Sequence, residues 1–329
     1  MSERLTVGID VGGTKIAAGV VAEDGTMLET TRRESPAEHP AAIAEAIAAL
    51  VNEFSDDHAI TGVGVAAAGF IDLARTTVMF APNLAWRDEP LRNLIAERLD
   101  VPVVIENDAN AAAWAEYRFG AGKGARTLVM ATIGTGIGGG LVLGGEVFRG
   151  GFGVAAEFGH MRVVPQGRLC ACGLHGCWEA YGSGTGLTVR ARELAAAEPE
   201  RATMLLGLAG GDAAAIEGPM VSQAAENGDP VALQSFTELG GWIGEGLASL
   251  TAILDPDVII VGGGVSESPA LELSTVVTSF EAAETGFGHR PAPRIALASL
   301  GNDAGLIGAA DLARVSHSSR VAGRTERSH

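Results

Sequence analysis

LTVGIDVGGTKIAAGVVA, residues 5–22, decides the fold class. Residues 5–10 are a β-rich apolar run, VGGTK (11–15) is a tight glycine turn, and IAAGVVA (16–22) resumes strand character. AEDGTM (22–27) then brings an Asp-Gly hairpin turn. The same theme returns from residue 126: RTLVMATIG (126–134), then TGIGGG, then LVLGGEVFRG with a second hairpin turn. The echo predicts two related halves, each opening strand, glycine turn, strand.

Outward from these stretches, strands alternate with helices. Pro36 and Pro40 precede a helix at 41–54, where Ile43, Ile47 and Leu50 fall at helical spacing. A buried strand is predicted at 60–69, a helix at 89–100, a strand at 101–108 and a glycine-stopped helix at 110–122. Further helices are predicted at 186–210, 213–227 and 229–254, the last ended by Asp255-Pro256. DVIIVGGG (257–264) is a strand that turns on glycines, and 302–315 is a helix that packs back on the first half. This is an α/β pattern with mixed sheets in two lobes, and a cleft between lobes is the natural ligand site. The expected division is 1–110 plus 300–316 for a smaller lobe, 111–299 for a larger one, and 317–329 as a disordered, solvated tail.

The chain has 329 residues, 47% of them hydrophobic, enough for a sizeable core. Forty acidic against 23 basic residues leave a formal charge of −17. That charge repels phosphate backbones and anionic membranes, so no nucleic-acid and no membrane partner is expected. A phosphate ligand held locally by backbone amides stays compatible with it. Glycine, 46 residues, is about twice its usual share, which suits tight turns and close backbone approach to a ligand. The three cysteines lie between 170 and 177, clustered and odd in number, and point to metal or redox chemistry in a reducing compartment. With no signal-peptide pattern and no membrane-length apolar run, a cytoplasmic protein is expected.

Five stretches carry chemistry. Asp10 closes the first strand before Gly12, Gly13, Thr14 and Lys15; the turn offers amides to an anion, and Asp10 suits Mg²⁺ or a phosphate. On its own the stretch also suits a plain hairpin turn. Gly134-Thr135-Gly136, in GTGIGGG, contains G-x-G-x-x-G, but a strand follows instead of the helix that a dinucleotide fingerprint requires. It reads as a second phosphate turn. Gly122-Lys123 is no P-loop, because Gly124 stands where Ser or Thr is needed and Tyr117 where glycine is. Glu106-Asn107-Asp108 ends a strand, placing a proton acceptor beside a positioning amide, or an Asx cap for the next helix.

The sharpest stretch joins EFGH (157–160) to CACGLHGCWE (170–179). His160, Cys170, Cys172 and Cys177 supply the four N/S ligands of a tetrahedral, structural Zn²⁺. His175 is a rival fourth ligand, and redox chemistry a competing use of the thiols. Glu157 and Glu179 flank the ligands, as ordinary surface charge or as partners of a polyol. IIVGGG (259–264) lets backbone at Gly263 and Gly264 approach a flat ring.

Together these motifs resemble the ROK family of the actin-like ATPase (ribonuclease H-like) superfold, over roughly residues 5–315. DVGGTK and TIGTGIGGG resemble its two phosphate motifs, IIVGGG its adenosine motif, and the Cys/His cluster its zinc signature; bacterial ATP-dependent glucokinases fit best within it. The resemblance implies ATP-dependent phosphorylation of glucose at the 6-hydroxyl, with ATP, Mg²⁺ and structural zinc. It implies Asp108 as the catalytic base, and Gly69, Asn83, Asn107, Asp108, Glu157, His160 and Glu179 as the sugar-contacting set. Asp10, Gly12, Gly13, Thr14, Lys15, Thr135, Gly136, Gly263 and Gly264 are implied nucleotide residues. His160 is implied to give one ring nitrogen to zinc and the other to a sugar hydroxyl. A homo-oligomer, dimer or tetramer, is expected. The alternatives are a kinase for N-acetylmannosamine, N-acetylglucosamine or fructose, a polyphosphate-using enzyme, and a sugar-responsive regulator. The last is disfavoured because only four residues precede the first strand, where such regulators carry a helix-turn-helix.

Overall fold

The computed structural model describes residues 4–81 and 84–325. Strands β1 (Leu5–Val11) and β2 (Lys15–Val21) form the expected hairpin, with Asp10 opposite Ala17 and Val11 opposite Ile16; β3 (Met27–Glu34) adds antiparallel to β2. Helix α1 (Pro40–Asp57) buries Ile43, Ile47, Leu50 and Phe54, the apolar stripe its periodicity predicts. Strand β4 (Ile60–Ala67) runs parallel to β1. A small antiparallel sheet, β5 (Phe70–Ile71), β6 (Val78–Phe80) and β7 (Arg87–Glu89), follows; its strands are too short to announce themselves by alternation. Helix α2 (Leu91–Ala96) is shorter than the predicted 89–100. Strand β8 (Val103–Asn107) is parallel to β4 and leads directly into α3 (Asp108–Arg118). The sheet order is β3-β2-β1-β4-β8.

The second sheet repeats that plan. Strands β9 (Thr127–Ile133), β10 (Ile137–Leu143) and β11 (Glu146–Val147) are followed, after several helices, by β12 (Val258–Gly262) and β13 (Arg294–Leu297), in the order β11-β10-β9-β12-β13. In each sheet an antiparallel hairpin is extended on one side by parallel strands, so the duplication read from the sequence is present in the topology. Five α-helices lie between β11 and β12: α4 (Glu179–Gly182), α5 (Gly184–Ala197), α6 (Thr203–Leu208), α7 (Gly218–Glu226) and α8 (Pro230–Leu254). The helix expected over 186–210 is instead split at Glu198-Pro199. Proline lacks the amide and pushes its predecessor out of helical geometry. Helix α8 is as expected: Asp229 caps the Val231 and Ala232 amides, and Asp255 ends it with φ 45° before Pro256. Helix α9 (Leu273–Ala283) and strand β13 carried no recognised signal.

The last helix, α10 (Ala304–Thr325), lies against the backbone of the first sheet. A Cβ on Gly8 would sit 2.1 Å from the Leu306 carbonyl oxygen, and one on Gly64 1.8 Å from that of Ala309, so both positions must stay bare. The helix continues through residues 317–325, where a disordered tail was expected. Neither proline nor glycine interrupts the chain between Ala309 and Ala322. Residues 326–329 of that expected tail lie outside the described residues.

The chain divides into two compact units: residues 1–124, 140–156 and 302–329, and residues 125–139 and 157–301. The boundary expected at 110/111 falls at Gly124 because α3 packs on α10. Among the described residues, no helix is long and apolar enough to cross a membrane.

Candidate active site and metal centre

Parallel strands bring their carboxyl ends to one edge of a sheet, where α/β proteins place ligands. In the first unit, Asp10 is in register with Ala66, and Ala66 with Glu106; Val11 is in register with Ala67, and Ala67 with Asn107. That edge therefore collects the Asp10–Lys15 turn, Gly69 and the Glu106–Asp108 segment. The Gly12 amide donates to the Lys15 carbonyl at 3.0 Å, which closes the turn and leaves Thr14 and Lys15 exposed. Asn107 caps α3 by accepting the Asn110 amide at 3.1 Å, and its own amide nitrogen donates to the Gly69 carbonyl at 3.2 Å. The Asx-cap reading of Asn107 thus holds in the structure, and its remaining bond fixes the side chain against Gly69.

Asp108 is the first residue of α3, and one of its oxygens accepts the Ala109 amide at 2.9 Å. Burial holds its carboxyl above the ordinary aspartate value. Asp10 is pushed up to about 6, first by burial and then by the charge of Asp108. Two interacting carboxyls thus share this edge. A bare glycine, Gly305 of α10, stands next to both: a Cβ there would be 3.9 Å from Asp10 Cγ and from the Asp108 carbonyl oxygen. Asn83 lies outside the described residues.

The sequence reading missed a charge network behind this edge. Glu106 is 1% exposed; one carboxylate oxygen forms ion pairs with Arg75 Nε at 2.9 Å and Arg149 Nε at 3.0 Å, while Arg149 Nε donates its hydrogen bond to the other at 3.1 Å. That other oxygen also accepts the Asn107 amide at 2.9 Å and the Asn110 side chain at 3.2 Å. Arg149, itself buried, also donates to the Ile71, Asp72 and Leu73 carbonyls.

In the second unit, Gly134-Thr135-Gly136 turns from β9 into β10, and Gly263-Gly264 leaves β12 alongside, with Gly262 in register with Thr132. Gly263 has φ +88°, and a Cβ on it would fall 2.6 Å from the Ile133 carbonyl oxygen, so the two turns pack backbone on backbone. The Gly184 amide donates to Gly134 O at 2.8 Å and Thr185 Oγ1 to Thr135 O at 2.7 Å, which brings the start of α5 to the turn. These elements enclose a cavity of about 510 Å³, lined by Thr135, Thr185, Thr188, Arg192, Ser222 and Gly264 among others. Its size is that of a cofactor site. Thr135 and Gly264 were expected there; the α5 and α7 residues were not, because nothing in a helical stretch marks which face lines a cavity.

Residues 157–178 have little regular structure beyond one 3-10 turn, Phe158–His160, and two isolated bridges. The ligand atoms of His160, Cys170, Cys172 and Cys177 nevertheless lie within 4.8 Å of one another. His160 Nδ1 is 3.8 Å from Cys170 Sγ, and Cys172 Sγ is 3.7 Å from Cys177 Sγ. The edge of a tetrahedron with Zn–S bonds of about 2.3 Å is about 3.8 Å, so the four residues fit zinc. Nδ1 is the nitrogen turned to the cluster, which leaves Nε2 for another partner. His175 stands apart, its Nδ1 2.9 Å from the Gly167 carbonyl oxygen. All three cysteines are free. Glu157 is exposed just before His160, and Glu179 begins α4 with its carboxylate at Cys170 Sγ and the Ile137 amide.

Comparison with known proteins places this geometry. The ROK family profile matches residues 6–316. A glucokinase of Streptomyces coelicolor is 51% identical over 310 residues, covering 94% of this chain and 98% of its own. A glucokinase of Halalkalibacterium halodurans is 35% identical, covering 94% of both chains. The solved structure of a ROK family glucokinase from Streptomyces griseus, in complex with glucose and AMPPNP, superposes with a TM-score of 0.83 at 52% identity, covering 94% of this chain and 99% of that one.

Proposed function

The chain belongs to the ROK family, with its actin-like ATPase fold, and on that footing we propose that it transfers the terminal phosphoryl group of ATP to the 6-hydroxyl of glucose. The observation that carries the reading is the pair of raised carboxyls, Asp10 and Asp108, at the strand ends where a glycine turn also offers its amides. In phosphoryl transfer the protein contributes mostly positioning and charge stabilisation. Asp108 takes the proton of the attacking hydroxyl, and its burial makes it a stronger base than an exposed aspartate.

Asn107, pinned by Gly69 and α3, orients the sugar. Gly69, Asn83, Glu157, His160 and Glu179 complete the proposed sugar-contacting set. Asp10 and the turn at Gly12, Gly13, Thr14 and Lys15 hold the phosphates; Asp10 would also hold Mg²⁺, which would supply charge screening for the phosphates. Thr135, Gly136, Gly263 and Gly264 hold the nucleotide, whose base enters the 510 Å³ cavity. His160, Cys170, Cys172 and Cys177 hold zinc, which ties a loop too glycine-rich to order itself by core burial.

The test is a panel assay of hexoses against ATP, GTP and polyphosphate. The expected result is glucose with ATP at the highest kcat/KM. A preference for N-acetylmannosamine, N-acetylglucosamine or fructose, or no turnover of any sugar, replaces this reading. The proposal includes a cytoplasmic location and a homo-oligomer, dimer or tetramer; cell fractionation and sedimentation equilibrium test these.

A further inference from the structure

The residues next to the metal ligands grip the second phosphate turn. Ile137 opens β10 directly after Gly136, and its amide donates to Glu179 Oε2 at 3.0 Å. A Cβ on Gly136 would come within 2.0 Å of that same oxygen, so glycine is needed there to admit the carboxylate. On the other flank, a Cβ on Gly159 would lie 2.3 Å from the Ile137 carbonyl oxygen. Glu179 is two residues past Cys177, and Gly159 immediately precedes His160. One ligand from each end of the metal loop thus adjoins a residue that clamps Ile137. The other Glu179 oxygen accepts the Cys170 thiol at 3.2 Å.

We propose that Glu179 is a positioning residue for the nucleotide: it transmits the order of the metal loop to the Gly134–Ile137 turn, so that metal occupancy and triphosphate affinity are coupled inside the second unit. The inference rests on the kinase reading for the identity of the turn. It goes beyond a sugar contact, because Oε2 is committed to the Ile137 amide. It also gives the metal a consequence for the nucleotide as well as for the sugar.

The test needs no turnover. Hydrogen exchange at the Ile137 amide is measured in sugar-free, nucleotide-free protein with its zinc, after chelation, and in Glu179→Ala and Glu179→Gln, with zinc per chain determined for each. Loss of one hydrogen bond predicts exchange faster by about tenfold after chelation and in Glu179→Ala. Glu179→Gln keeps an acceptor oxygen and restores protection. The dissociation constant of AMPPNP with magnesium, in the absence of sugar, rises about tenfold in the same two states. If Glu179→Ala sheds its metal, Glu179→Asp, whose shorter arm falls short of Ile137, replaces it. Unchanged exchange after chelation overturns the coupling, and unchanged exchange in the zinc-loaded variant overturns Glu179 as its carrier. A wild-type chain that binds no nucleotide removes the phosphate-turn reading and this inference together. Nucleotide affinity indifferent to both changes removes the inference alone and leaves the kinase standing.

Discussion

Asp108 works in the proposed reaction only while ionised, and its burial makes that ionisation harder; its charge in turn helps hold Asp10 protonated. Asp108→Asn is expected to lower kcat by about 10²–10⁴, the range of a lost general base, while glucose still binds; steady-state kinetics and calorimetry check this. Wild-type turnover in that variant removes Asp108 from the base role. Asp10 adds a pH signature. Its folded value of about 6 lies above the unfolded one, so between roughly pH 4 and pH 6 the folded chain keeps a proton that the unfolded chain has released. Stability therefore falls as pH rises through that window. Asp10→Asn should raise stability at neutral pH by about 1–3 kcal/mol while lowering activity, and should flatten the slope; melting temperature against pH measures both. At this scale the legible residues are those whose partners are near in sequence. Asp10, Asp108 and the four zinc ligands announce themselves by local motif. Arg149 does not, because the carboxylate it serves is 43 positions away.

That arginine governs an element, the glycine-rich segment that follows β11. Arg149 fastens it at once to Glu106 and to three carbonyls of the stretch after β5. Arg149→Met leaves Glu106 with Arg75 alone in a buried setting, and is expected to cost about 3–5 kcal/mol by urea denaturation. The metal loop is the opposite case: the four residues its motif singles out are brought together, as ligation and not periodicity would require. Chelation, or Cys172→Ser, is expected to open residues 157–178 to proteolysis and raise the sugar KM. Purified protein without stoichiometric zinc sinks that reading. Where periodicity is all there is, legibility is uneven. Helix α8 carries its cap and stop in its own sequence, whereas α9 and β13 owe their form to what they pack against.

Over the whole molecule, what the sequence disclosed was repetition: two strand–glycine turn–strand openings, answered by two sheets of the same strand order. The return of 302–315 to the first half was legible too; what stayed hidden was the set of contacts that fasten it, which join residues some three hundred positions apart. Helix α10 buries Leu306, Ile307, Ala310 and Leu312, and Arg314 pins it to Thr6 and to the Val21 and Ala22 carbonyls. Deleting 317–329 falls beyond that anchor and should leave activity unchanged, whereas deleting 304–329 should abolish soluble folding; solubility and circular dichroism separate the two. A large loss from the shorter deletion shows that the end of α10 does more than extend into solvent.

The placement of α10 bears on how the protein is made. A ribosome releases residues 5–107 early, yet the helix that covers their sheet emerges only after the whole second unit has been synthesised. For most of its synthesis the amino-terminal half waits with an apolar face bare, a natural client for chaperones. Chains that stop short of α10 leave that sheet uncovered and are expected not to mature.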